Sequence, residues 1–298
     1  MDAIMAILYT RVIPVLLIMV MAGLGLSLTI TDLKRVIVFP RAVTIGLIGQ
    51  LLLLPLLAFV LAFALAPSPE IAVGAIILAA CPGGVTSNAY VFAARADLAL
   101  SVTLTAIASM ITVFTIPLLT YAAMQFFMEA GERPDLPAAN IFRTLFMLSI
   151  VPIATGMAVR WRWPAFAEGL LERLRRLTVG VLMFLIVAAA ISSHEIIQAN
   201  LLGAGLLVIA LNLLSMGMGY GLGKAFSLPL KQSITLTYEV GVQNLSLALL
   251  VTLTLIGSQA LAITTLLYAV IMPTTALALI AVSHKLLGTV GENGLSPE

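Results

Sequence analysis

Runs of about twenty apolar residues follow one another along almost the whole chain, separated by short polar loops. A helix needs about twenty such residues to cross a bilayer. Of the 298 residues, 61% are hydrophobic and 9% are charged, whereas soluble domains have about 25% charged residues. The sequence therefore predicts an all-α, polytopic membrane protein in which residues 1–298 form a single transmembrane domain. We predict nine spans, at about 12–30, 38–66, 70–95, 98–127, 140–160, 174–194, 200–226, 231–256 and 259–285.

The basic residues fall unevenly between the two sides of this arrangement. Twelve of the fifteen Lys and Arg lie in alternate loops, which are Lys34, Arg35 and Arg41, then Arg95, then Arg160, Arg162, Arg173, Arg175 and Arg176, then Lys224 and Lys231, and Lys285. Lys and Arg accumulate in cytoplasmic loops. We therefore expect a protein of the inner cell membrane with an external N-terminus and a cytoplasmic C-terminus.

Glu239 is the one acidic residue deep inside an apolar run, which extends over about 233–256. A carboxylate at the centre of a bilayer costs about 2.5–3.5 kcal/mol on insertion scales, and such residues are functional by default. Gly241, Gln243 and Asn244 follow within about one turn. These residues predict a helix that is broken around a site.

A second interruption, Cys81–Asn88, lies in the run at about 70–95, where it contains Pro82, Gly83 and Gly84. The two interrupted spans enter the membrane from opposite sides. Paired broken helices of opposite direction are typical of transporters built from inverted repeats, with the binding site where the breaks cross. The expected repeats are about 12–127, which lacks its opening helix, and about 140–287.

Side-chain oxygens surround these two breaks in the sequence. Thr86, Ser87 and Asn88 follow the first break, and Gln50 and Gln243 supply amides; Ser101, Thr105, Ser109 and Thr112 share one helical face. With Glu239 they form an all-oxygen set, which suits a hard cation such as Na⁺. Plainer interpretations remain open for each part. Ser and Thr in membrane helices often bond to backbone, Pro-Gly often marks a kink, and a lone Gln often joins helices.

The segments Cys81–Asn88, Leu100–Thr103 and Glu239–Asn244 resemble the two signature regions of the bile acid:sodium symporter family. The similarity runs from about Leu16 to the last span. It implies one Na⁺ site built from Ser87, Asn88, Ser101, Thr105 and Glu239. It implies a second built from Gln50, Glu239, Gln243 and the carbonyls of Val240 and Val242. It also implies a core, about 38–127 and 200–287, that moves against a panel, about 12–30 and 140–194.

The expected function is sodium-coupled symport of an organic anion by alternating access, with two Na⁺ per substrate. The second halves of the broken helices present partially positive N-termini, so we expect Thr86, Ser87 and Asn244 to bind the anion. Bile acids and small carboxylates such as a pantoate-like acid remain open. The alternatives are a Na⁺-independent or H⁺-coupled carrier, with Glu239 as the proton site, and a membrane receptor or sensor.

The expected partners are the substrate and the lipid bilayer. The sequence contains no pattern typical of an enzyme, and neither nucleic acid nor a protein partner is expected.

Overall fold

A computed structural model describes residues 6–32, 40–131, 133–134, 138–192 and 194–292, and the regular elements in these ranges are helices. The first five are α1 Leu8–Ser27, α2 Pro40–Leu65, α3 Pro69–Ala80, α4 Val85–Ala93 and α5 Leu98–Phe127. The next three are α6 Ala139–Arg162, α7 Pro164–Ser192 and α8 His194–Ala225. The last three are α9 Leu230–Gly241, α10, which is Leu245–Leu249 continued by a π-helical turn Leu250–Leu255, and α11 Gln259–Glu292.

Seven helical segments of the described residues are long and apolar enough to cross a membrane, where α9 and α10 together count as one segment. The bent pair α3 and α4 makes an eighth if it counts as one span. This result confirms an all-helical, multi-pass membrane protein. Eight of the nine predicted spans correspond to these candidates. The remaining one, at about 174–194, falls largely within α7, which is not among them, so the number nine stays a prediction.

Three π-helical turns each precede a proline by two residues. They are Leu8–Val12, Gly49–Leu53 and Phe146–Ile150. Proline lacks an N–H group and its ring clashes with the carbonyl four residues earlier. A turn widened by one residue accommodates this loss, and such turns are frequent at functional sites. Gln50 lies in the second of these turns.

The two interrupted helices lie at the centre of the helix assembly. Every residue from Ser233 to Leu253 is buried. Helix α8 approaches α9 closely at Gly219, where a Cβ atom would lie 2.3 Å from the Leu236 carbonyl oxygen. Large apolar side chains cover the outer surface, and Phe63 and Leu202 are 76% and 90% exposed. The assembly therefore presents apolar side chains to lipid and encloses its polar residues.

Candidate functional site at the crossing of two broken helices

The first break separates α3 from α4, whose axes differ in direction by 66°. Pro82 explains where α3 ends, because proline disfavours the helical conformation in the residue before it. Cys81 is accordingly extended, with ψ 149°. Helix α4 restarts at Val85 after the extended Gly84. The break therefore follows from local backbone chemistry.

The second break separates α9 from α10 and contacts the first. Val242 is extended, and Asn244 caps α10 by accepting the Leu247 N–H at 3.1 Å. The backbone N–H of Asn244 donates to the carbonyl of Pro82 at 2.9 Å. This hydrogen bond joins the two interruptions, which were predicted to lie together.

Glu239 lies 3% exposed at this crossing, and three hydroxyl groups bind its carboxylate. Ser87 Oγ and Ser101 Oγ each lie 2.6 Å from Oε1, and Thr105 Oγ1 lies 2.8 Å from Oε2. Asn88 Oδ1 lies 2.6 Å from Ser101 Oγ. The structure thus brings together all five residues that the resemblance implied for the first Na⁺ site. We call them the Glu239 cluster.

The three hydroxyl groups of the Glu239 cluster contact four acceptor oxygens, and each hydroxyl has only one proton to donate. Ser87 Oγ lies within hydrogen-bond distance of both Glu239 Oε1 and the Gly84 carbonyl, and Ser101 Oγ contacts both Glu239 Oε1 and Asn88 Oδ1. Each hydroxyl has one proton and satisfies only one of its two acceptors at a time. A buried carboxylate also needs a compensating positive charge. In the part of the chain that the structure describes, the ion pairs of Lys and Arg do not involve Glu239. The cluster can therefore accept a small cation or an additional proton.

A second polar group forms around Gln50 and Gln243. Gln50 Nε2 donates to the Cys81 carbonyl at 2.8 Å and to Gln243 Oε1 at 2.9 Å. Gln243 Nε2 donates to the Val240 carbonyl at 2.7 Å. Among the described residues, the buried Gln50 Oε1 has no hydrogen-bond partner. Val242 lies in the extended segment beside this group. Glu239 bonds to the hydroxyl groups of the Glu239 cluster, so its place in a second Na⁺ site stays a prediction.

A cavity of about 260 Å³ adjoins the crossing. Its walls come from α1 and α7 on one side and from the two breaks on the other. Thr86 and Asn244 line it, and Asn244 Nδ2 is a buried donor without a partner among the described residues. Ser87, the third expected substrate residue, lies instead in the Glu239 cluster. The walls of the cavity are therefore mainly apolar, and Thr86, Tyr90, Thr178, Ser246 and Asn244 are the polar residues among them.

Two parts of the surroundings differ from what the sequence suggested. Ser109 and Thr112, expected on the same polar face as Thr105, bond to carbonyls of their own helix. Asp97 was not singled out. Its carboxylate caps α5 by accepting the Leu100 N–H at 3.0 Å, and its own N–H donates to Thr235 Oγ1 at 2.9 Å. An acidic residue just before an apolar run is a helix-start signal, so the capping role of Asp97 could be predicted from the sequence. Its contact with Thr235 of α9 could not.

The amino-acid sequence is also similar to those of known proteins. The model of the sodium bile acid symporter family matches residues 14–200, which is more than half of the chain. The chain belongs to the sodium bile acid symporter family. The relatives described below are named as transporters. This agrees with the expectation that the chain is not an enzyme.

Three relatives illustrate the range of the family. An uncharacterised sodium-dependent transporter of Bacillus subtilis, YocS, is 33% identical over 236 residues, covering 78% of this chain and 70% of that protein. A probable sodium/metabolite cotransporter of rice, BASS2, is 30% identical over 77% of this chain and 54% of its own length. The ileal sodium/bile acid cotransporter of rabbit is 29% identical over 83% and 70%. The chain thus spans about half of the rice protein.

Proposed function

We propose that this protein is a sodium-coupled symporter of a small organic anion. The observation that carries the proposal is the Glu239 cluster, a buried carboxylate surrounded by hydroxyl and amide oxygens at the crossing of two broken helices. Hard cations prefer oxygen ligands, and the hydroxyl groups of the cluster have fewer protons than the acceptor oxygens they contact. The Bacillus relative is named a sodium-dependent transporter and the rabbit relative a sodium/bile acid cotransporter, which supports the choice of ion.

Two Na⁺ ions bind in this proposal. Ser87, Asn88, Ser101, Thr105 and Glu239 hold the first. The second lies beside Gln50 and Gln243, with the carbonyls of Val240 and Val242 and with Glu239 shared between the sites. The unpartnered Gln50 Oε1 supports it, because a buried oxygen without a donor is costly unless a ligand satisfies it.

The substrate in this proposal is a monoanion that is smaller than a bile acid. The cavity of about 260 Å³ falls below the ~300–1,000 Å³ of sites for drug-sized ligands, which favours a small carboxylate such as a pantoate-like acid. The carboxylate lies near Thr86 and the free Nδ2 of Asn244. The N-terminus of α4 adds partial positive charge at the same point. The apolar body lies against α1 and α7.

Transport follows alternating access in this proposal. The chain has nine spans in two inverted repeats, with an external N-terminus, and α7 provides the sixth. The core carries the broken helices and moves against a panel that includes α1 and α7. The cavity adjoins Met19–Gly23, in the second half of α1, and Leu171–Leu182, around the middle of α7, which carries Arg173, Arg175 and Arg176. With basic loops inside, this conformation is open to the cytoplasm.

A proton is the second candidate for the coupling ion. One further proton on Glu239 would neutralise its buried charge, so the geometry favours an H⁺-coupled carrier next after Na⁺ coupling. The two ions give different results in a binding assay. Thermal stabilisation by a panel of small carboxylates, at constant pH and ionic strength, is expected to require Na⁺ and to be lost when choline replaces it. Equal stabilisation in choline, rising as pH falls, would favour the proton instead.

A further inference from the structure

A third buried polar group lies beside the α9–α10 break, around the carbonyl of Gly241. Asn212 of α8 is 0% exposed and Tyr268 of α11 is 1% exposed. Tyr268 OH donates to the Gly241 carbonyl at 2.8 Å, and Asn212 Nδ2 donates to the same carbonyl at 3.2 Å. Asn212 Nδ2 also lies 3.1 Å from Tyr268 OH, and Thr275 Oγ1 donates to Asn212 Oδ1 at 2.6 Å. We call Asn212, Tyr268 and Thr275 the Gly241 clamp.

The Gly241 clamp binds the last carbonyl of α9. Carbonyls at the C-terminal end of a helix have no partner within it, and in a membrane protein they must find one elsewhere. The carbonyl of Val240, one residue earlier, accepts from Gln243 on the side that faces Gln50. Two successive carbonyls at the break therefore have different partners, Gln243 for Val240 and the Gly241 clamp for Gly241. Fixing the Gly241 carbonyl fixes the direction of its neighbours.

The first break has a corresponding contact. Gln50 of α2 donates to the Cys81 carbonyl, 31 residues later, and Asn212 of α8 donates to the Gly241 carbonyl, 29 residues later. In each half of the chain, an amide on the preceding long helix thus binds the carbonyl where the broken helix stops. The difference is at the amide oxygen. Gln50 Oε1 has no partner among the described residues, whereas Asn212 Oδ1 accepts the hydroxyl of Thr275.

We infer that Asn212 and Tyr268 are positioning residues for the second Na⁺ site, and that Thr275 fixes the Asn212 amide in the required orientation. This inference rests on the proposed function. The Gln50 amide keeps an oxygen available for an ion, while the Asn212 amide is fully bonded and acts as a fixed support. The Gly241 clamp holds the break so that the carbonyls of Val240 and Val242 face Gln50.

The test is a double-mutant cycle on Na⁺-dependent substrate binding. Tyr268→Phe removes one hydroxyl group and retains the buried ring, and it is expected to raise the half-saturating Na⁺ concentration about tenfold, the upper range for one hydrogen bond. Residues that act on one site are not additive. In a Gln50→Ala background, which lacks the second site, Tyr268→Phe should therefore change the Na⁺ response no further. In a Ser101→Ala background, which weakens the first site, its effect should persist.

Two matched controls separate positioning from general destabilisation. Tyr238→Phe removes the hydroxyl of another fully buried tyrosine, which contacts the Ala276 carbonyl at 3.4 Å and the side chain of Ser283, and should leave the Na⁺ response unchanged. If Tyr268→Phe does not fold, Thr275→Val at the half-buried edge of the clamp carries the test. Its control is Thr274→Val, since Thr274 bonds only to Val270 of its own helix.

The outcomes distinguish this inference from the proposed function. An effect of Tyr268→Phe that persists at full size in the Gln50→Ala background would overturn the positioning role and leave the second site intact. So would an unchanged Na⁺ response in Tyr268→Phe alone. A Gln50→Ala variant with a normal Na⁺ response would instead remove the second site from the proposed function, and the positioning role would fall with it.

Discussion

Gly83→Ala tests how closely the first Na⁺ site is fitted. A Cβ atom at Gly83 would lie 2.9 Å from Glu239 Oε2 and 3.1 Å from Ser87 Oγ, whereas ordinary contact begins at 3.4 Å. The carboxylate oxygen must therefore move by 3.4 − 2.9, or about 0.5 Å, away from position 83, which disturbs its contacts with the hydroxyl groups. The atom displaced is the end of a side chain, so the helix break itself should survive.

The magnitude follows from the cost of overpacking. An extra methyl group in a tightly packed interior costs about 1–3 kcal/mol. If the ion-bound arrangement carries this cost, the Na⁺ dissociation constant rises about 5- to 150-fold. Sodium titrations of substrate binding measure the dissociation constant, and thermal unfolding without Na⁺ measures any general loss of stability.

Gly84→Ala is the matched control, because its Cβ would meet no atom closer than 3.8 Å, at Asn244. Its Na⁺ dissociation constant is expected to stay close to that of the unaltered protein. Equal Na⁺ affinity in the Gly83 and Gly84 variants would mean that no ion depends on the position of the Glu239 carboxylate. The assignment of the first site would then be wrong.

Three further predictions concern the substrate, the topology and the conformational change. Asn244→Ala removes an unpartnered donor beside the cavity and should weaken substrate binding by about 1–3 kcal/mol. Paired titrations of substrate and Na⁺ should show a smaller change in Na⁺ binding. A larger loss of Na⁺ binding would contradict the substrate role of Asn244. A cysteine at the exposed Gly131 should react with an impermeant reagent from outside and one at Gly169 should not, and labelling of both from one side would refute the proposed orientation. Thr254 Oγ1 donates to the Tyr9 carbonyl at 2.6 Å, on the far side of the crossing from the cavity, so Thr254→Val should shift the population about fivefold towards the outward-open state. Distances between spin labels at the start of α1 and at the end of α10 report this shift. An unchanged distance distribution would show that the contact of Thr254 with Tyr9 does not stabilise the closed external side.

The two breaks could be predicted because their causes are local. Proline at position 82 cannot continue the hydrogen-bond ladder and restrains Cys81, and Gly241 with Asn244 supplies a helix end and a cap. An acidic residue inside an apolar run is equally visible without a fold. These features depend on the residue types and their positions alone.

The Gly241 clamp could not be predicted because it joins residues from three helices. Tyr268 and Thr275 lie in an apolar run where either residue more often packs or bonds to its own helix. Asn212 did offer a signal, since it is an amide inside a predicted span, as Gln50 is. Which carbonyl each amide binds depends on how the helices pack, and a single sequence does not specify that packing.

The same limit applies to the polar face of α5. Spacing places Ser101, Thr105, Ser109 and Thr112 on one side of the helix, but only the first two reach Glu239. The other two are too far along the axis, at about 1.5 Å per residue, and bond to their own backbone. Periodicity identifies a face, and the position of the break decides which part of that face is used.

The central claim is that two Na⁺ ions accompany one small monoanion, and charge movement tests it most directly. Each cycle then carries one net positive charge inward. Purified protein in liposomes on a solid-supported membrane should give a Na⁺-dependent inward current when an anionic substrate is added, and Glu239→Ala should abolish it. Electroneutral uptake of a monoanion, with Na⁺ still required, would contradict the two-ion account.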